Sequence, residues 1–195
     1  YAEPFIGIQE RGYYYGIFYD RLQRRFLYVD YSKTAKTFKE AGASAAFDMN
    51  NVGKDMVYAE HGFEKKWYCV MRDPVAEYSV YVCDFSKMDD GNRGVGKYSA
   101  SGCTDMKDAK AFAVGNRSEL LYYATTTEVK QCNFKDGGTS TLRYTLPTEL
   151  IQAGYEISML YLFKVSGKEN EGKLLYIGVY NPTTEEGKLL ECPIV

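Results

Sequence analysis

The stretch whose residue types and spacing come nearest to a known chemistry is Gly91-Asn92-Arg93-Gly94-Val95-Gly96-Lys97-Tyr98. Its first seven residues satisfy a phosphate-binding loop, in which backbone N–H groups cradle phosphates and the Lys reaches the terminal ones. The eighth position then has to be Ser or Thr, because its hydroxyl holds magnesium, and Tyr98 stands there instead. Such a loop also needs a buried strand before it and a helix after it, so that the helix N-terminus meets the phosphates. The flanks, Ser86-Lys87-Met88-Asp89-Asp90 and Ser99-Ala100-Ser101-Gly102, both read as loop. The stretch is therefore read as a long surface loop. Asp84, Asp89, Asp90 and Asn92 offer oxygen ligands beside a glycine. They lack the alternating spacing and the distant glutamate of a calcium loop, so a solvated acidic loop is expected and no metal site is assigned.

Carboxylates are plentiful, with 26 Asp and Glu in 195 residues. Glycoside hydrolysis needs two of them at a set separation across a cleft, and spacing along the chain does not single out a pair. Asp20, Asp30, Asp48 and Asp73 end or follow apolar runs, where Asp ordinarily ties a turn through local hydrogen bonds. His61 is the single histidine. A Ser-His-Asp set or a histidine-rich metal site thus has almost nothing to work with. Cys103 sits in a polar stretch with no base near it in sequence, which argues against a cysteine nucleophile. No catalytic residue and no cofactor is assigned.

One cluster does suggest binding. His61, Phe63 and Trp67 fall between two candidate strands, and Trp67 is the only tryptophan. A flat indole presented on a loop can stack on the CH face of a sugar ring while its N–H donates a hydrogen bond. These three are the candidate ligand-binding residues; the competing reading is an apolar plug between sheets. Five cysteines, none in a C-x-x-C pair, exclude a zinc ribbon or a thioredoxin-like site. Cys69 and Cys83 could face each other across a hairpin with Asp73-Pro74 near its turn, either as a disulfide or as buried free thiols.

The elements that must position these residues are strands. Nineteen tyrosines, ten phenylalanines and 18 glycines against five prolines describe a β-rich chain with many turns. Short apolar runs recur near residues 13–19, 26–31, 56–60, 67–72, 78–85, 111–114, 120–125, 128–134, 141–146, 156–165, 173–180 and 188–193. Several alternate with period two, as in Thr127-Glu128-Val129-Lys130-Gln131-Cys132, which turns one face inward. Helix signals are weak: residues 32–46 hold good helix formers but no sustained apolar stripe, and 148–153 could form one turn. The same local text, a polar residue, two apolar residues and a Tyr, appears four times: Arg25-Phe26-Leu27-Tyr28, Asp55-Met56-Val57-Tyr58, Glu119-Leu120-Leu121-Tyr122 and Lys173-Leu174-Leu175-Tyr176. Its mean spacing is close to one four-stranded propeller blade. The expectation is a single all-β domain over residues 1–195, a β-propeller or propeller fragment of about four four-stranded blades, with a β-sandwich as the alternative.

The formal net charge of −2 gives no case for nucleic acid, which asks for a basic face. No apolar run nears the roughly 18–20 residues that span a bilayer; the best, near 155–165, carries Glu156 and Lys164. Asn116-Arg117-Ser118 matches a glycan acceptor pattern too short to build on.

Residues 45–58 (Ala45-Ala46-Phe47-Asp48-Met49-Asn50-Asn51-Val52-Gly53-Lys54-Asp55-Met56-Val57-Tyr58), together with Lys110-Ala111-Phe112-Ala113 and Leu120-Leu121-Tyr122-Tyr123-Ala124, resemble passages of PKD-like lipoproteins of Bacteroides-type bacteria. The closing text, Leu174-Leu175-Tyr176-Ile177-Gly178-Val179-Tyr180 and then Gly187-Lys188-Leu189, is similar as well. The resemblance implies that this chain is the C-terminal, propeller-like part of a longer lipid-anchored protein of the cell envelope, at the outer-membrane surface or in the periplasm. It implies a non-catalytic recognition or scaffold module, partnered by glycans or outer-membrane uptake proteins. The alternative is a glycan-active hydrolase or lyase with carboxylates in a central funnel. The resemblance carries over no catalytic residue.

Overall fold

The structure, a computed structural model, describes the backbone of residues 2–10, 13–20, 25–32, 37–43, 55–61, 66–72, 78–84, 95–115, 120–163 and 172–194. Side chains are described for Val70, Val80, Tyr98 and, from Ala100 onward, throughout those spans. The chain divides into two compact units, one of Tyr1–Val75 with Ser79–Lys97, the other of Ala76–Tyr78 with Tyr98–Val195.

The first unit is built on two antiparallel meanders. The first runs β1 (Ala2–Glu10), β2 (Tyr13–Asp20), β3 (Arg25–Ser32) and β4 (Thr37–Ala43). The second runs β5 (Asp55–His61), β6 (Lys66–Arg72), β7 (Tyr78–Asp84) and β8 (Val95–Ser99), its last strand ending in the second unit. In both sheets the spatial order equals the chain order, and β1 lies beside β5. Such neighbour-to-neighbour connection lets each sheet form from local contacts, with no crossover.

Two more meanders make the second unit. One holds β9 (Ala111–Val114), β10 (Leu120–Ala124), β11 (Glu128–Asn133) and β12 (Thr139–Thr145); the other holds β13 (Glu156–Leu162), β14 (Leu174–Asn181) and β15 (Glu186–Pro193). Helix is minor among the described residues. A 3-10 turn at Thr104–Asp108 precedes β9, another at Phe134–Asp136 follows β11, and one short α-helix, α1 (Thr148–Gln152), falls where a single turn is expected from sequence.

Burial is graded across the β9–β12 meander. All four residues of β9 are buried, four of five in β10, two of six in β11 (Val129 and Cys132), and none in β12. The first strands pack centrally because β13 lies against β9 and β10. Leu121, Tyr123, Met106, Phe134, Ile157, Leu162, Leu175 and Ile177 are the largest fully buried side chains described. In β14 the period of two is clean: Leu175, Ile177 and Val179 are buried, while Leu174, Tyr176 and Gly178 are only partly covered.

The four-fold text does not mark equivalent strands. It falls in β3, β5, β10 and β14, which are the third, first, second and second strands of their sheets. A polar residue, two apolar residues and a Tyr suit any half-buried strand, so the pattern repeats without fixing phase. The structural repeat is instead set by the first strands, which begin at residues 2, 55, 111 and 156. That spacing is about 50 residues per sheet, within the range of propeller blades. The glycine-rich stretch also needs correction. Its later part, Val95–Ser99, is strand β8 rather than loop, because an edge position beside β7 satisfies its backbone whatever its glycines prefer.

Candidate functional site

The β5–β6 hairpin sets two of the three candidate binding residues at paired positions. Its last described cross-strand pair is His61 opposite Trp67, so these two residues, six apart in sequence, close the end of the hairpin. Phe63 belongs to the connection between them, residues 62–65, outside the described residues. Cys69 on β6 pairs with Ala59 on β5, and Cys83 lies on the neighbouring β7. Their sulfurs, and with them the suggested Cys69–Cys83 disulfide, lie outside what is described, as do Asp48, Asp73, Asp89, Asp90 and Asn92. Asp20 and Arg25 form the closing pair of the β2–β3 hairpin, and Asp30 pairs with Tyr15.

The second unit holds a polar cluster that sequence spacing does not announce. After β8 the chain turns through Ala100–Cys103, where the Cys103 N–H donates to the Ala100 carbonyl at 2.9 Å, and enters the Thr104–Asp108 turn. Asp105 there reaches the sheet. Its Oδ1 accepts from the Tyr123 hydroxyl at 2.7 Å and its Oδ2 from the Lys130 ammonium. Lys130 also lies 3.0 Å from Glu128 Oε2. The Tyr123 oxygen is 2.8 Å from Ser140 Oγ. Because the single Tyr123 hydroxyl proton is given to Asp105, Ser140 is the donor in that contact. The carboxylate thereby joins the turn to β10 and β11, and the Tyr123 hydroxyl carries the link on to β12.

The ionisation of the cluster follows from these contacts. Burial would raise the Asp105 carboxyl, but Lys130 and Tyr123 outweigh it and hold the group below the ordinary carboxylate value. Lys130 is shifted up by its hydrogen bonds to Asp105 and Glu128. Tyr123 is pushed up by burial, with the neighbouring Asp105 adding to it. At neutral pH the cluster is thus an ion pair closed by a neutral phenol. Its charges are spent on one another, as expected for groups that tie a loop to a sheet.

Beside it lie two buried thiols. Cys103 and Cys132 are 3 % and 0 % exposed, with sulfurs 2.9 Å apart. Cys103 Sγ is also 2.7 Å from the Gly138 carbonyl oxygen. Asp105, Tyr123, Lys130, Cys103 and Cys132 come from three segments of chain, and no short motif spans them. The period of two expected for residues 127–132 does not find Cys132: the buried residues of β11 are Val129 and Cys132, three apart, because a register shift between Val129 and Lys130 resets which face points inward.

The β13–β15 sheet carries several exposed apolar side chains. Met159, Tyr161 and Leu189 are 46 %, 47 % and 60 % exposed. The Tyr161 and Tyr176 rings lie 6.4 Å apart, and Phe163 meets Tyr176 edge-on at 6.5 Å. Near the turn of the β14–β15 hairpin, the Tyr155 hydroxyl donates to Glu186 at 2.9 Å, while Lys188 sits over the Tyr155 ring at 4.5 Å. Asn181, the one buried polar side chain described, accepts from the Thr183 and Thr184 N–H groups and donates to the Ala153 carbonyl. Among the described residues no group of three or more His, Cys, Asp or Glu could hold a metal ion. No helix among them is long and apolar enough to cross a membrane.

No protein-family model matches this chain, and no curated protein matches it. Solved structures do. The WD40 domain of SCAP from fission yeast aligns over 97 % of this chain and 44 % of its own, with 10 % identity and a TM-score of 0.50. A prolyl endopeptidase aligns over 99 % of this chain and 30 % of its own, at 11 % identity and a TM-score of 0.47. A luciferin-regenerating enzyme aligns over 98 % and 76 %, at 10 % identity and a TM-score of 0.42. The chain therefore spans less than half the length of the first and second of these. At such identity the WD40 likeness speaks to fold alone. With the four sequential meanders, it identifies the chain as all-β and of the propeller class.

Proposed function

We propose that this chain is a non-catalytic recognition module that binds glycan through the end of the β5–β6 hairpin, as part of a longer lipid-anchored protein of the cell envelope. One observation supports the reading: His61 and Trp67 are cross-strand partners at the end of the β5–β6 hairpin, and Phe63 lies between them in sequence. Aromatic rings and a ring nitrogen presented together suit the alternating CH and OH surfaces of a sugar. The mutual pairing of Asp105, Lys130 and Tyr123 agrees with a structural use of those charges rather than proton transfer. The envelope setting and the link to nutrient uptake rest on the PKD-like resemblance.

Trp67 is the only tryptophan, so its fluorescence reports this site without labelling. Glycans retained on an array should quench that fluorescence on titration, and Trp67→Ala should remove their retention while leaving the thermal transition in place. Retention that survives Trp67→Ala would move the site elsewhere, and no retention across a broad array would end the glycan reading. Release of reducing sugar, abolished by a single Asp or Glu substitution, would favour the hydrolase instead.

A further inference from the structure

The geometry points to Cys103 and Cys132 as a disulfide-forming pair that covalently fastens the turn preceding β9 to strand β11. Three observations carry this. The two sulfurs lie 2.9 Å apart, closer than the about 3.5–4.0 Å at which unbonded carbon atoms rest. Both thiols are buried, so neither has an outside partner to compete for it. They come from separate segments 29 residues apart that already meet through backbone: the Gly102 N–H donates to the Gly137 carbonyl, and Gly138 lies against Ala100. Disulfides require the two chain segments to be held close before the bond forms, and this packing does so.

The step is thiol–disulfide exchange with a low-molecular-weight disulfide. One protein thiolate attacks a sulfur of the oxidant, forming a mixed disulfide and expelling one thiolate. The second protein thiolate then attacks the protein sulfur of that mixed disulfide, forming the Cys103–Cys132 bond and expelling the other. Two protein thiols are oxidised, one small disulfide is reduced to two thiols, and the two protons leave with them. Cys103 is the attacking group. It sits in a turn whose neighbours Ser101, Gly102 and Thr104 are exposed, so opening the turn reaches it first. Hydrogen bonding with Cys132 also holds its thiol below the usual value. Cys132 is the resolving group within the sheet.

The test uses the full chain, refolded in oxidised glutathione, blocked with iodoacetamide and digested with trypsin. The peptides 98–107 and 131–135 should be recovered joined by one disulfide. The oxidised protein should unfold roughly 5–10 °C higher than the reduced protein, since a loop of this length is closed in the unfolded chain. Cys103→Ser should remove both the joined peptide and the oxidant-dependent shift. Recovery of both peptides separately, each alkylated, would overturn the proposal without recourse to any variant. So would Cys132 joined to a different cysteine.

Discussion

At the scale of single residues, Asp105 decides how the second unit responds to pH. Its folded-state value lies below the ordinary 3.8, so the stability it contributes is complete above that value and is lost as pH falls through the folded value. Lys130 is raised above 10.5, so its contribution is complete below 10.5 and is lost as pH climbs through the folded value. Between those limits the pair is insensitive to pH. Both side chains are partly exposed, at 31 % and 22 %, so the pair is worth about 0.5–1 kcal/mol. Urea midpoints should fall less steeply below about pH 4 in Lys130→Met than in the parent protein; identical acid limbs would show that the pair contributes nothing. Tyr123→Phe should cost about 1–2 kcal/mol at neutral pH, because Asp105 and Ser140 both lose a partner while the ring still fills its site. None of this is legible in the sequence. Asp105 and Lys130 are ordinary charged residues 25 positions apart, and only the turn after β8 makes them neighbours. The backbone pairing of His61 with Trp67 is legible, because a short hairpin keeps sequence neighbours close in space.

At the scale of elements, the β11–β12 connection shows how a turn is specified. Phe134–Asp136 makes one 3-10 turn, then Gly137 and Gly138 both take positive φ, 75° and 81°. A Cβ on Gly137 would meet nothing within 4 Å, whereas one on Gly138 would stand 2.7 Å from the Ala100 Cα. Gly137→Ala should therefore cost only the left-handed conformation, about 1–2 kcal/mol. Gly138→Ala should cost about 2–4 kcal/mol, because the backbone of Ala100 has to give way as well. Chemical denaturation of the two variants compares them directly; equal losses would mean that the contact with Ala100 is unimportant. Asp136-Gly137-Gly138 is visible in sequence as a turn, but the different burdens of its two glycines are not. The strands that sequence patterning missed have similar explanations. In β1, Pro4 and Gly7 break the propensity, and the chain absorbs Pro4 at an edge beside a register shift. In β4, Lys39, Glu40 and Ala41 are helix formers, overridden by pairing with β3.

At the scale of the whole molecule, what was legible is the architecture. Alternating aromatic strands, frequent glycine and an absence of sustained helix all point to repeated antiparallel sheets, and sheets of that kind are found. The phase of the repeat was not legible, because inner and outer strands use the same residues and differ chiefly in what covers them. That difference is measurable. Leu162→Ala, at a fully buried position in β13, should cost about 2–5 kcal/mol. Leu189→Ala, 60 % exposed in β15, should stay within about 0.5 kcal/mol. Calorimetry on the two variants checks the assignment of faces, and a large loss at Leu189 would mean that the outward face is covered.

The grading from β9 to β12 has a further consequence for tolerance to randomisation. A library diversified over residues 139–145, where no side chain is buried, should leave most clones folded. One diversified over residues 111–114, where every side chain is enclosed, should leave few. This meander is therefore a graft site with a built-in direction: new surface can be written along β12 while β9 keeps its original wording.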